Sequence, residues 1–370
     1  MRARLLRLGQ LLLVLLLILV VALLIPVVAI GVMCDPFAEV RAAAPTPLAG
    51  SEAWPAEATR PEDQTYLTLP EWYIVYSADE YAAYLQDHPP SSFPYFAAIG
   101  QYWRSYRDVC GVTRGHYPFN VDYHLTLYVI GVSFTVENSL RGIYETSMGR
   151  VIEWLSSGQP TAEERYGRQV AVEYGRFIHT IPWYEFPFAE KLNTLWTTTG
   201  WWGPDPLRKW ERKFVLSLEY GGKALYARLI KGGTQAAYAP ERLEVLAVAE
   251  GVTPELVANN PDLHVVKTLA EGKTLISLPR YEAFSQLAPK LTQQGLRFVA
   301  IAGNDEIMLT AFAPQDWLCE LPVGDLLFEL PILTRPGEKR VALTAPVASL
   351  HKVLAELQAR GLKLEHLYDY

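Results

Sequence analysis

The chain has 370 residues, half of them hydrophobic and a fifth charged, with a net charge of −7. That composition excludes a disordered chain, and the acidic balance excludes nucleic-acid binding through charge alone. Three cysteines, Cys34, Cys110 and Cys319, make no disulfide framework and no metal-ligand spacing.

The N-terminus carries the strongest local signal. From Leu11 to Met33 no residue is charged, and about 20 apolar residues suffice to cross a bilayer as a helix. Arg2, Arg4 and Arg7 precede the run and no acidic residue does, which favours a cytoplasmic N-terminus. Residues 1–34 therefore read as a cytoplasmic tip and a single-pass transmembrane anchor, with residues 8–33 in contact with the lipid bilayer. The apolar run exceeds the roughly 7–15 residues of a signal-peptide core, so it reads as a retained signal anchor. The expected location is a bacterial inner membrane, with the bulk of the chain in the periplasm or outside. In that oxidising setting a Cys110–Cys319 bridge is one possibility and three unpaired thiols the other.

Residues 35–62 are rich in Pro and Ala and read as an extended stalk. Residues 63–240 read as a helical, aromatic-rich domain. Thr68-Leu-Pro-Glu71 and Ser77-Ala-Asp-Glu80 each fit a capping box, the second opening a helix that stops before Pro89-Pro90. Phe96, Ile99, Trp103, Tyr106 and Cys110 recur at three- and four-residue steps and predict an amphipathic helix over 94–110. The longest helix is expected at about 122–156. Its stretch from Leu125 to Val136 is apolar on nearly every side, as in the central helix of a bundle. Gly131, Gly142 and Gly149 along it permit close helix approach. A further helix follows from Thr161, and the last starts at Asp205-Pro206, with Trp210, Phe214 and Leu218 as its inward stripe.

Residues 241–370 change to short β-rich runs and two helices. Leu275–Phe298 and Val341–Leu364 superpose at an offset of 66, each a strand, a helix, a glycine C-cap (Gly295, Gly361) and a returning strand. Two such βαβ-type copies predict an α+β, ferredoxin-like domain. Two extra strands are expected between them, at about 306–312 and 327–333.

Three groups of residues are candidate sites. Glu137, Arg141 and Glu145 lie four apart on one helix face, a spacing that suits ion pairing and that acid–base catalysis could use, with His124 or His179 as partner. Trp183, Tyr184, Trp201 and Trp202 belong to an aromatic belt between 183 and 210 that fits core packing, ligand stacking or contact with the membrane headgroup zone. His116, His124 and His179 lack the spacing of a metal site, so no metal and no other cofactor is expected.

No nucleophile elbow or phosphate loop is present. The sequence favours a membrane-anchored binding or accessory module for a membrane protein partner or a lipid-like ligand. The alternative is an envelope enzyme using Glu137, Arg141 and Glu145.

Overall fold

The computed structural model describes Val21, residues 24–25, 27–38 and 40, and then residues 58–156, 158–234, 243–319 and 321–370. Most of the predicted anchor and stalk lies outside the described residues. Residues 27–34 are helical, and no described helix is long and apolar enough to cross a membrane.

The middle of the chain is helical. α1 (Gln64–Asp87), α2 (Tyr95–Thr113) and α3 (Val121–Tyr144) are followed by one π-helical turn, Glu145–Gly149, and the short α4 (Arg150–Trp154). Then come α5 (Ala162–Ile178), α6 (Phe188–Thr198) and α7 (Pro206–Thr234). The two predicted capping boxes open nothing: Thr68 and Ser77 both lie inside α1, and the Thr68 hydroxyl donates to the Gln64 carbonyl one turn back. A capping box does form at Thr161, whose side chain accepts from the Glu164 amide while Glu164 accepts from the Thr161 amide.

The C-terminal part holds two four-stranded antiparallel sheets. In the first, β1 (Glu244–Glu250), the short α8 (Pro254–Asn259), β2 (His264–Thr268), β3 (Lys273–Pro279), α9 (Glu282–Gln293) and β4 (Arg297–Ile301) give the order β2-β3-β1-β4. In the second, β5 (Glu306–Pro314), β6 (Asp325–Pro331), β7 (Glu338–Pro346), α10 (Leu350–Ala359) and β8 (Lys363–Leu367) give the order β6-β7-β5-β8. Both layouts are compatible with a ferredoxin-like arrangement.

The two predicted βαβ copies therefore do not build one sheet between them. Each supplies the second half of its own sheet. The expected extra strands are β5 and β6, which form the first half of the second sheet. The likeness between the halves extends to their irregularities. The pairing slips between Val248 and Ala249 in one sheet and between Thr310 and Ala311 in the other. It slips again after Val265 and after Leu326. Gly295 and Gly361 both take a positive φ after their helices, as left-handed caps require.

One apolar core runs through both sheets and through α9 and α10, with Phe284, Phe298, Leu309, Leu343 and Leu357 fully buried. A second core joins the helical part to β5 and to the residues just after β8 through Tyr66, Tyr76, Tyr106, Met308 and Tyr368. Thr65 pins this seam. Its hydroxyl donates to the Tyr368 carbonyl at 2.8 Å and accepts from the Met308 amide at 2.9 Å.

Candidate functional site

α3 and α7 lie side by side and run in opposite directions. Ser133 meets Tyr226 at 3.2 Å, Glu137 meets Lys223 at 2.8 Å, Arg141 meets Glu219 at 3.6 Å, and Tyr144 donates to Glu211 at 2.7 Å. As the number rises on α3 it falls on α7. Arg141 also reaches Glu137 at 3.5 Å, and its guanidinium sits 4.4 Å above the Tyr81 ring. Burial works against the charge on Glu137, but Lys223 and Arg141 outweigh it and hold the carboxyl below its ordinary range.

Nearer the start of α7 the pairing becomes an enclosed charge cluster. Arg208, Lys209, Arg212 and Lys213 are all buried, and four carboxylates balance them. Arg208 bonds Glu164 at 2.8 Å and Glu211 at 3.1 Å. Lys209 bonds Glu163 at 2.5 Å. Arg212 grips Glu145 through both Nη atoms, at 2.9 and 3.2 Å, and also bonds Glu211. Lys213 donates to the Thr199 carbonyl at 2.8 Å and lies 5.0 Å from the centre of the Trp196 ring. Removing this many charges from water is costly unless each is paired, and here the charges of the two signs are equal in number.

The three carboxylate–arginine residues of the predicted stripe are thus divided between two sets of partners. Glu137 and Arg141 associate with Glu219 and Lys223. Glu145 lies on the π turn and belongs with Arg212. His124 and His179 join neither set. His179 bridges Asp79 and Glu282 at 2.6 and 3.4 Å, where α1 and α5 meet α9. His116 is exposed and contacts the Arg114 carbonyl.

The outward sides of the same helices are apolar. Leu125, Val129, Leu140 and Ile143 on α3 and Leu207, Phe214, Leu218, Leu225 and Leu229 on α7 are exposed. Leu140 is 66 % exposed and Phe214 60 %. Two expectations are corrected by this. The stripe of Trp210, Phe214 and Leu218 faces outward, because the charged positions 208, 209, 211, 212 and 213 take the inside. The stretch from Leu125 to Val136 is not the centre of a bundle, because its only buried positions are Leu127 and Gly131.

The inward glycines do permit close approach. A Cβ on Gly131 would run into Tyr102 and the Trp103 ring, and one on Gly142 would lie 2.9 Å from Tyr95 Cβ. Small and polar groups inside with apolar groups outside is the reverse of a water-soluble bundle.

The aromatic belt divides. Phe186 and Phe188 are buried with Val170 and Tyr220. Trp183 and Tyr184 are half-buried, Trp183 lying 5.2 Å from Tyr226. Trp201 and Trp202 are exposed, Trp202 by 87 %. Trp201 packs edge-on against Trp196 at 5.9 Å and lies tilted to Trp210 at 5.6 Å. Antiparallel packing brings the start of α7 to the end of α4, where Trp154 and Leu155 are also exposed.

Cys34 forms a disulfide with Cys110, and Cys319 is free. The expected alternatives, a Cys110–Cys319 bridge or three unpaired thiols, are replaced by a bond that ties the end of the N-terminal helix to α2. His124 lies against this bond, its Nδ1 2.7 Å from the Tyr106 hydroxyl and its ring stacked on Phe119 at 4.1 Å. Burial draws the His124 imidazole down to about 4.

Sequence reasoning missed the cationic half of the enclosed cluster. A signal was present: Arg208 and Arg212, and likewise Lys209 and Lys213, are four apart and share a helix face. No family model matches the chain, and no curated protein and no solved structure is significantly similar to it.

Proposed function

We propose that this protein is a membrane-anchored binding or accessory module whose helical part works against the bilayer. Its N-terminus is cytoplasmic, residues 8–33 cross the membrane, and the two sheets, a tandem pair of ferredoxin-like units, stand on the far side. The apolar outer face of α3, α4 and α7 rests in the interfacial layer beside the anchor, with Trp154, Trp201 and Trp202 at headgroup level. A lipid-like ligand or a membrane protein partner is then met at this face.

The observation that carries the reading is the reversed polarity of the α3–α7 pair. The charges at the start of α7 are enclosed while leucines on both helices are exposed, an arrangement that an apolar surrounding stabilises and water does not. The disulfide supports it: a bond between Cys34 and Cys110 suits the oxidising side of a membrane. The enzyme alternative needs Glu145 as a free acid or base, and Arg212 holds it at both oxygens. We therefore do not adopt it.

Tryptophan fluorescence tests the proposal, because residues 1–53 contain no tryptophan and the anchor is silent. Full-length protein is reconstituted in vesicles whose acyl chains are brominated. Strong quenching, reduced in the Trp201→Phe/Trp202→Phe variant, is expected. Emission equal to that in unbrominated vesicles would overturn the reading.

A further inference from the structure

Cys34, Cys110 and His124 come from three separate helical segments, which is why their spacing in the sequence carries no ligand motif. Their ligand atoms lie within 4.8 Å of one another and all three residues are buried. A cavity of about 20 Å³ opens beside them, lined by Cys34, His124, Asp63 and Phe119 among others. That is room for one water-sized occupant.

The hydrogen bond between Tyr106 and His124 Nδ1, together with the Phe119 stack, fixes the imidazole plane and leaves Nε2 as the remaining ligand atom. A partner on the second ring nitrogen is the usual support of a metal-binding histidine.

We propose that reduction of the Cys34–Cys110 bond converts this place into a two-thiolate, one-imidazole site for a soft cation, copper(I) or zinc(II). A dithiol reductant delivers two electrons and two protons to the S–S bond. This chain then holds two thiols, and the reductant becomes a disulfide. The cation displaces the two thiol protons to solvent and bonds both sulfurs and Nε2. Sulfurs at about 2.3 Å from a metal stand roughly 3.8 Å apart. The Cα atoms of Cys34 and Cys110 are 4.8 Å apart, so rotation of the two side chains opens the pair without separating the helices. Two soft sulfurs with one nitrogen select these ions over calcium or magnesium, and the cavity leaves space for a water as fourth ligand.

The experiment uses full-length protein in detergent with Cys319→Ser, so that the free thiol does not count. Oxidised and phosphine-reduced samples are titrated without oxygen, with copper(I) against a chromogenic chelator and with zinc(II) against another. The tighter of the two names the ion. One equivalent bound only after reduction, with affinity at least tenfold lower in His124→Ala at an unchanged thiol count, is the expected result. Equal binding by oxidised and reduced protein, or by His124→Ala and its parent, would overturn the site and leave the disulfide as a staple alone.

Discussion

Arg212 holds Glu145 through two hydrogen bonds, 2.9 and 3.2 Å long, on the enclosed side of a helix pair whose open side is leucine, phenylalanine and tryptophan. Arg212→Ala leaves Glu145 buried without its main partner. Loss of one member of a buried pair costs about 3–5 kcal/mol. The double replacement Glu145→Leu/Arg212→Met recovers much of that, because it removes both charges together. Chemical unfolding of the detergent-solubilised protein measures each, and an Arg212→Ala protein as stable as its parent contradicts the enclosed cluster.

Gly131 faces Tyr102 and Trp103 with no room for a methyl group. Gly131→Ala therefore forces the rings or the helices apart, at a cost of about 1–3 kcal/mol. Gly222, on the open side of α7, has no neighbour within contact of an added Cβ. Gly222→Ala should match or exceed the parent in the same unfolding measurement, since alanine is the better helix former.

These two glycines show how far the sequence could be read. The close approach at Gly131 was legible, because a glycine in an apolar helix has few other uses. The direction of the stripe was not. Periodicity places Trp210, Phe214 and Leu218 on one face of α7, but it does not say whether that face meets core or lipid. What decides is the pairing of Arg208 and Lys209 with Glu164 and Glu163, which lie on α5, far away in sequence. In the C-terminal part the strand–helix–strand copies were legible through Gly295 and Gly361. The division into two sheets was not, because β2 is entirely exposed and lacks the alternation that marks a half-buried strand.

His179 joins Asp79 on α1 to Glu282 on α9. Burial opposes its charge, but the two carboxylates outweigh burial and lift the imidazolium to about 10. The folded value lies above the unfolded one of about 6.5. The contribution to stability is thus complete below about pH 6.5 and is lost as pH rises towards 10. The melting temperature of the wild type should fall across that window, and His179→Gln should flatten the fall. Parallel pH profiles for the two proteins contradict this assignment.

Leu218 is exposed on α7, so a charge there disturbs no core. Leu218→Glu should change the unfolding free energy in detergent by about 0.5 kcal/mol or less. It should also weaken recovery of the bromine quenching seen for Trp201 and Trp202, because a carboxylate resists entry into acyl chains. A large loss of stability in detergent would instead place Leu218 in a protein core.

The polarity of the α3–α7 pair is tested most directly by nitroxide labels at Leu140, Phe214 and Leu218, placed one at a time in Cys319→Ser protein reconstituted in vesicles. Collisions with dissolved oxygen and with a water-soluble nickel chelate are compared at each site. Labels that meet oxygen readily and are shielded from the chelate are predicted at all three positions. Free access of the chelate to all three would contradict the account, since the exposed leucines would then face water.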